Sequence, residues 1–369
     1  MNRRAFAGGA IAAATAAALV LATPTSASAS DRTDSHHVRK PHVRVLNSDV
    51  IAPFQLAASR GHLYVSDGAT STVSMLRKGG LKTVATGPQP GEVAGVAFDT
   101  SGKAMAYTAT DYTTGAATLT IKRQGKKDVV ADLSAFEAAH NPDAQVVYGV
   151  ENPSQCVKDA FEPLGGATMT GVVESHPYAV ASLGNGAWVV ADAAGNDLLK
   201  VDWRGNVSLL ALMPRQPITV TADIASAMGL PDCVVGVTYN FEPVPTDVVV
   251  GSHGKLYVSL LPGGPEDASL GARGSVYQVN RWNGHSKRIA TGFLGATNLT
   301  MDPRGTIYVS ELFAGRISTV SRGRAKEYLA LPGVLSVEWA NGHLYASTMA
   351  PMDEEGNPAG NGSIVRIER

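Results

Sequence analysis

A short unit that repeats around a turn glycine constrains this chain more than any other feature of its sequence. Its clearest copy, 297–331, contains four short segments with the two-residue alternation of β-strands, separated by turn residues. The inner pair of segments recurs around six glycines: Gly61, Gly102, Gly186, Gly254, Gly305 and Gly342. A sheet of four short strands leaves a face uncovered, so each copy needs neighbours of its own kind. The sequence therefore predicts an all-β protein, a six-bladed β-propeller.

The two ends of the chain complement each other. The sixth copy ends at Ser363–Glu368 without a fourth segment, whereas Val43–Leu46 near the N-terminus precedes the first copy as other fourth segments precede theirs. A strand donated by the N-terminus would close the ring and remove the last open sheet edge. We therefore predict that 43–369 form the propeller, with N-terminal strand closure.

The first residues have the composition of an export signal. Residues 1–29 carry two arginines near the start, a short apolar run and the small-residue pattern Ala27-Ser28-Ala29. The apolar run is too short to span a bilayer. The opening NRRAFAG resembles a twin-arginine signal but lacks the usual Ser or Thr at Asn2, so the twin-arginine and general secretory routes both stay open. Residues 30–42 are predicted to be a flexible linker, and the mature protein to be secreted or extracytoplasmic.

Charge excludes two classes of partner. The chain has 31 Lys and Arg against 32 Asp and Glu, a net charge of −1. Nucleic acid and anionic membrane are bound largely through excess positive charge, which this composition does not provide. A small molecule, a glycan or a protein is therefore the expected partner.

Four long insertions interrupt the repeats. Two lie between copies, and each contains a predicted short helix: Ser134–His140, with Ser134 as N-cap and Glu137 at the capping-box position, and Thr221–Met228. The other two, Pro262–Arg273 and Ala350–Asn361, follow second strands. In up-and-down blades both kinds of connection emerge on the same face, so we predict one loop-rich face with short helical insertions. Binding sites commonly lie on long loops held by a rigid scaffold.

The only two cysteines, Cys156 and Cys233, lie one in each of the insertions between copies. An exported protein with two cysteines ordinarily joins them in a disulfide. A metal pair or a catalytic thiol is the alternative, but no histidine accompanies either cysteine at ligand spacing. We predict a structural bridge.

Candidate site residues come from aligning the copies on their turn glycines. The entry of each inner strand, expected at the mouth of a central channel, is then occupied by Gln55, Gly95, Tyr178, Asp247, Asn298 and Ser336. Apart from the glycine, these are the candidate ligand-binding residues. Asp247, Asn298 and Glu92 offer the hard oxygen atoms that a divalent cation such as Ca²⁺ prefers. His176 and Glu92 are the candidate catalytic residues, with His176 as general base. The alternative is that these polar residues line a wet channel and bind nothing.

Several segments resemble the ScyD/ScyE family of secreted six-bladed propellers: GPQPGEVAGVAFD, YGVENPSQC, ESHPYAVA, VADAAGNDLLKVD and TNLTMDPRGTIYVSE. The resemblance covers roughly residues 50–369, and it implies the propeller fold but no established reaction. More distantly, the blades resemble NHL-repeat, SMP-30/gluconolactonase-like and streptogramin-lyase-like propellers, which implies hydrolases or lyases with a cation on the channel axis. At one of the ring positions where such a protein would need a side chain to hold the cation, this sequence has Gly95.

Two functions are compatible with these features. The first is an extracytoplasmic propeller that binds a small molecule, glycan or protein on its loop-rich face. The second is a divalent-cation-dependent hydrolase or lyase that acts at the channel mouth. The fold alone does not choose between them, because propellers support both.

Overall fold

The alternating segments of the repeats form the strands of the structure. A computed structural model describes residues 41–353 and 355–368, so the predicted export signal and most of the predicted linker lie outside the described residues. The strands are, in chain order, β1 (His42–Val50), β2 (Pro53–Ser59), β3 (His62–Asp67), β4 (Thr72–Arg77), β5 (Gly80–Thr86), β6 (Gly91–Phe98), β7 (Ala104–Asp111), β8 (Ala117–Arg123), β9 (Val129–Asp132), β10 (Val147–Gly149), β11 (Thr168–Thr170), β12 (Pro177–Gly184), β13 (Ala187–Asp192), β14 (Asp197–Val201), β15 (Val207–Leu212), β16 (Gln216–Thr219), β17 (Thr238–Phe241), β18 (Pro245–Val250), β19 (Lys255–Leu260), β20 (Gly274–Asn280), β21 (Ser286–Phe293), β22 (Ala296–Met301), β23 (Ile307–Glu311), β24 (Arg316–Ser321), β25 (Arg324–Ala330), β26 (Val334–Ala340), β27 (His343–Thr348) and β28 (Gly362–Glu368). The helices are α1 (Leu133–His140), α2 (Gln155–Phe161) and α3 (Ala222–Ala227), with 3-10 turns at Glu162–Leu164, Asp232–Val234 and Ser252–Gly254.

Each repeat folds as an antiparallel unit of four strands. The units are β2–β5, β6–β9, β12–β15, β18–β21, β22–β25, and β26–β28 with β1. A parallel bridge between Thr291 and Arg324 joins the fourth and fifth units into one eight-stranded sheet. The N-terminal strand β1 pairs antiparallel with β28, with Val45 opposite Val365, where the sequence places it. Successive sheets of this kind define a β-propeller.

The core lies between neighbouring sheets because strand side chains alternate between two faces. In β13, Trp188 and Val190 pack with residues of the second unit, whereas Val189 and Ala191 pack with residues of the fourth. A sheet that lies between two others, such as the third unit, therefore contributes to two cores. This arrangement explains why inner strands are buried on both faces and contain mostly small apolar residues.

The two large insertions form a further sheet that the repeats do not predict. Its strand order is β11-β10-β17-β16, so each insertion contributes two strands. An apolar core that includes Val157, Phe161 and Phe241 joins this sheet to helices α2 and α3. The predicted disulfide is present, with Cys156 on α2 bonded to Cys233 and a Cα–Cα distance of 6.4 Å. The insertions are thus one folded unit rather than two separate loops.

One helix cap differs from the sequence-based prediction. Helix α1 begins one residue earlier than expected, and Asp132 caps it by accepting from Ala135 N at 2.8 Å. Ser134 is not the cap, because its hydroxyl contacts the backbone of the neighbouring strand hairpin instead, accepting from Ala117 N. Glu137 consequently has no capping-box role, and its side chain is buried. The second predicted helix is also present as α3, and its first predicted residue, Thr221, is the N-cap, accepting from Ile224 N.

Candidate functional site

The predicted ring residues lie on the inner strands, and the side chains of Gln55, Asp247 and Asn298 tie one repeat to another. Gln55 illustrates this, since its Oε1 accepts from Val96 N of the second unit at 2.8 Å. Its Nε2 donates to Asp247 Oδ1 of the fourth unit at 3.2 Å. One amide side chain therefore links three units across the channel.

Asp247 and Asn298 make the same kind of link, whereas Ser336 bonds within its own unit. Asp247 accepts from Val248 N and, across to the fifth unit, from Leu299 N at 2.9 Å. Asn298 accepts from Val337 N of the sixth unit at 2.9 Å, and the Ser336 hydroxyl contacts that of Ser347 at 2.6 Å. Asp247 and Ser336 are 0% exposed. The structure thus gives most of these polar groups internal partners, as buried polar groups require.

Gly95 serves close approach at its ring position. A Cβ atom there would lie 3.0 Å from the backbone of Ala179 in the neighbouring inner strand and 2.9 Å from Thr108 Oγ1. Any larger residue would push two inner strands apart. Packing thus accounts for the glycine that interrupts the polar ring.

A second carboxylate, Glu338, accompanies Asp247 in the channel. Burial raises the pKa of Asp247 to about 7. The hydrogen bonds from Leu299 N and Val248 N lower this pKa because they favour the ionised form, but burial outweighs them. Burial and the charge of Asp247 raise the pKa of Glu338 to about 8. Two buried acids are thus present, and the charge of Asp247 disfavours the ionisation of Glu338.

Glu92 and His176 form an acid–base pair near the ring. His176 Nε2 contacts Glu92 Oε1, and the Tyr112 hydroxyl donates to Glu92 Oε2 at 2.7 Å. Burial lowers the pKa of His176, but the hydrogen bond and charge of Glu92 outweigh it, and the net pKa is raised. Burial raises the pKa of Glu92, and the hydrogen bond and charge of His176 reverse that effect. Each partner therefore favours the ionised form of the other.

Tyr178 lies beside this pair with its hydroxyl unpartnered. Its ring centroid is 5.5 Å from that of His176 and 5.2 Å from that of Phe54. The side chain is buried, and its oxygen has no hydrogen-bond partner among the described residues. We call Glu92, Tyr112, His176 and Tyr178 the mouth cluster. It contains a proton donor and acceptor next to an unsatisfied phenol.

The three residues proposed to hold a cation at the channel mouth lie in two separate hydrogen-bond networks. Asp247 and Asn298 direct their oxygen atoms to backbone N–H groups, whereas Glu92 directs its oxygens to His176 and Tyr112. Among residues 41–353 and 355–368, no group of three or more His, Cys, Asp or Glu side chains forms a ready metal site. The side chains present therefore do not fit a preformed cation site at this position.

A groove runs between the two large insertions. Its volume is about 460 Å³, and its polar lining includes Glu151, Ser154, Arg215, Thr238 and Asn240. Arg215 pairs with Glu151 and donates to Val147 O at 2.8 Å, which holds the guanidinium at the edge of the groove. Cys233 also lines the groove, so the disulfide fixes the relative position of its walls. We call this the insertion groove.

Sequence reasoning missed Arg215, Tyr112 and Glu338. None of them occupies the aligned ring position, so the repeat register alone does not select them. Arg215 lies directly before β16 in an insertion, and only the pairing of that insertion with the first one brings it to Glu151.

None of the helices in the described part of the chain is long and apolar enough to cross a bilayer.

Known structures similar to this chain are propellers of the gluconolactonase-like and streptogramin-lyase-like classes. A proposed oxidoreductase (glucose dehydrogenase) from Thermus thermophilus is 16% identical with a TM-score of 0.50, over 89% of this chain and 100% of that one. A gluconolactonase from Xanthomonas campestris is 12% identical with a TM-score of 0.49, over 89% and 90% of the two chains. A streptogramin B lyase is 12% identical with a TM-score of 0.46, over 89% and 97%. At 16% identity the likeness to the Thermus thermophilus structure shows the fold alone. No protein-family model and no curated protein matches the sequence.

Proposed function

We propose that the protein is an extracytoplasmic six-bladed propeller, closed by its N-terminal strand, that binds a small polar ligand in the insertion groove. Six blades are supported by the neighbour relations of the inner strands. β2 packs against β6, β6 against β12, β12 against β18, β18 against β22, β22 against β26, and β26 again against β2. Membership of the ScyD/ScyE family and export through the signal at 1–29 are parts of the same proposal.

The single observation that carries the binding function is the insertion groove. Its volume of about 460 Å³ lies in the range of small-molecule sites. Its walls come from two insertions that are covalently joined, which holds the site in shape before a ligand arrives. Its lining offers a guanidinium, a carboxylate and an amide, which favours a polar ligand with both acceptor and donor groups.

Arg215 is the residue whose removal tests this site. We expect the melting temperature of the wild type to rise with at least one member of a panel of small carboxylates, phosphates, monosaccharides and disaccharides. Arg215→Met should abolish that rise because it removes the only guanidinium of the lining. Arg304→Met, at an exposed tight turn, is the matched control and should keep the rise. A ligand that stabilises wild type and Arg215→Met equally would place binding elsewhere, and a silent panel would favour a glycan or protein partner.

The mouth cluster favours a second function, hydrolysis or elimination by acid–base catalysis. Glu92 orients and charges His176, and the unpartnered hydroxyl of Tyr178 lies beside them as a hydrogen-bond donor. The cation of this alternative would be held by Asp247, Asn298 and Glu92, whose oxygens already have other partners. Activity of the wild type on small lactones and aryl esters, with and without EDTA, tests the enzyme and its cation separately. His176→Gln should remove the activity, and full activity in that variant would refute the assignment.

A further inference from the structure

Four carboxylates meet next to the mouth cluster, which one of them contacts through the backbone N–H of His176. Asp192 ends β13 and Asp197 begins β14, directly opposite each other in the ladder. Glu137 comes from helix α1, and Asp143 from the segment that follows this helix. Each of the four side chains is at most 2% exposed. We call them the acidic cluster.

Part of this acidic cluster is well hydrogen-bonded. Asp192 accepts from the Ser175 hydroxyl and from His176 N and Gly195 N. Asp143 Oδ2 accepts from Tyr148 Oη at 2.9 Å and from Asn196 Nδ2 at 3.0 Å. These contacts fix two of the four carboxylates in position.

The remaining oxygen atoms have no donor. Both oxygens of Asp197, Oε1 of Glu137 and Oδ1 of Asp143 are buried without a hydrogen-bond partner among the described residues. Burial raises the pKa of Asp197 well above its ordinary value, and the charges of Asp192, Glu137 and Asp143 add to the effect. Unpaired buried carboxylates are strongly disfavoured when ionised. Something other than a protein donor is needed to satisfy them.

The fifth unit of the same chain has a cation at the equivalent position of its ladder. In the fifth unit, Glu311 and Arg316 are opposite each other in the ladder, as Asp192 and Asp197 are in the third. Arg316 Nε donates to Glu311 Oε1 at 2.9 Å. The third unit thus has a carboxylate where the fifth has a cation. In the described chain, no Lys or Arg forms an ion pair with any of the four carboxylates.

We propose that the acidic cluster binds a divalent cation, with calcium as the preferred ion. The cation would neutralise the carboxylates of the third unit as Arg316 neutralises Glu311 in the fifth. Asp197, Glu137 and Asp143 supply four unpartnered oxygens, and hard oxygen ligands at flexible angles suit calcium. The described residues do not form a ready coordination shell, so the proposal requires the side chains of Glu137, Asp143 and Asp197 to move closer together around the ion. Because Glu137 belongs to α1 and Asp197 to β14, the ion would fasten the first insertion to the third unit.

A calcium titration of three proteins tests this site. Wild type, Asp197→Asn and Asp247→Asn are freed of metal with EDTA, returned to metal-free buffer, and melted over a series of calcium concentrations, with magnesium as a second series. Calorimetric titration with calcium gives the stoichiometry. We expect one calcium per wild-type chain and a saturable rise in melting temperature. Asp197→Asn should bind at least about tenfold more weakly and should melt above the metal-free wild type, because it relieves like-charge repulsion.

Asp247→Asn separates this site from the channel. It should keep the full calcium response, because Asp247 is not part of the acidic cluster. Loss of the response in Asp247→Asn with retention in Asp197→Asn would move the ion to the channel and overturn the proposal. A wild type that neither binds calcium nor melts higher with it would also overturn it, and would mean that the acids are held neutral by protons. If Asp197→Asn fails to fold, Glu137→Gln replaces it with the same expected loss.

Discussion

Replacing Asp247 by Asn should change how the stability of the protein depends on pH. Burial raises the pKa of Asp247 from 3.8 to about 7 in the folded protein. Between about pH 4 and pH 7, Asp247 is therefore protonated in the folded state and ionised in the unfolded state. In that window the unfolded chain binds fewer protons, so stability falls as pH rises. The contribution of this group is complete below about pH 4 and is lost above about pH 7.

The magnitude follows from the shift. Each pH unit between the two pKa values costs about 1.4 kcal/mol, so going from pH 5 to pH 8 should cost the wild type about 2.7 kcal/mol through this residue alone. Glu338 adds to the slope, since the charge of Asp247 contributes to its pKa of about 8. Asp247→Asn removes the first contribution and weakens the second.

The variant has a cost of its own that does not depend on pH. Asp247 accepts backbone N–H groups with both oxygens, from Val248 and Leu299, and an asparagine keeps only one of these acceptors. Leaving one buried N–H without a partner costs about 1–3 kcal/mol. We therefore expect Asp247→Asn to be less stable than wild type at pH 5 and to approach or exceed it at pH 8.

Urea denaturation of both proteins at pH 5, 6, 7 and 8 measures the two free energies of unfolding. The quantity that decides is the difference between the curves, because any titration shared by the two proteins cancels in it. Parallel pH profiles for wild type and variant would refute the reasoning, whatever the absolute loss of stability. Such a result would mean that Asp247 is ionised in the folded protein at pH 5.

Three further changes test the fold. Removing residues 30–39 should leave the melting temperature unchanged, whereas removal through Leu46 should lower it, because β1 is the outer strand against β28; equal melting temperatures would contradict closure. Replacing both Cys156 and Cys233 by Ser should lower the free energy of unfolding by roughly 4–5 kcal/mol, from the loop entropy of a bridge across 77 residues. In the wild type, intact mass after alkylation under non-reducing conditions should show no free thiols. Gly95→Ala should destabilise by about 1–3 kcal/mol because its Cβ would lie 3.0 Å from the Ala179 backbone. Gly125→Asn should cost much less, because no atom lies within 4 Å of its Cβ and its φ of 68° is one that Asn tolerates.

Much of the fold follows from short-range sequence patterns. The alternation around Gly61 and Gly342 and the missing fourth segment of the last repeat were enough to place β1 against β28. The cysteine pair was also predictable, because only two cysteines are present and one disulfide is possible. The helix N-cap was predicted at Ser134 instead of Asp132, since both residue types cap helices and only the contact with Ala117 shows how Ser134 is used.

The candidate sites were less predictable than the fold. Aligning the repeats identified Gln55, Asp247 and Asn298 as equivalent, but did not reveal that their polar atoms bond to neighbouring inner strands. The alignment also placed Glu92 and His176 near each other, although 84 residues separate them. Nothing in the repeat pattern indicated the insertion groove, whose walls exist only because two insertions pair.

The sequence by itself determined the repeating strands, the turn positions and the closing partner of the last sheet, because these depend on alternation and on turn residues within a few positions of each other. Only the tertiary structure decided which polar side chains meet. The acidic cluster shows the reason: Glu137 looks like a capping residue in its own helix, and Asp197 like an ordinary turn acid. Their burial against each other arises only when the first insertion packs on the third unit, a contact between segments that no local pattern links.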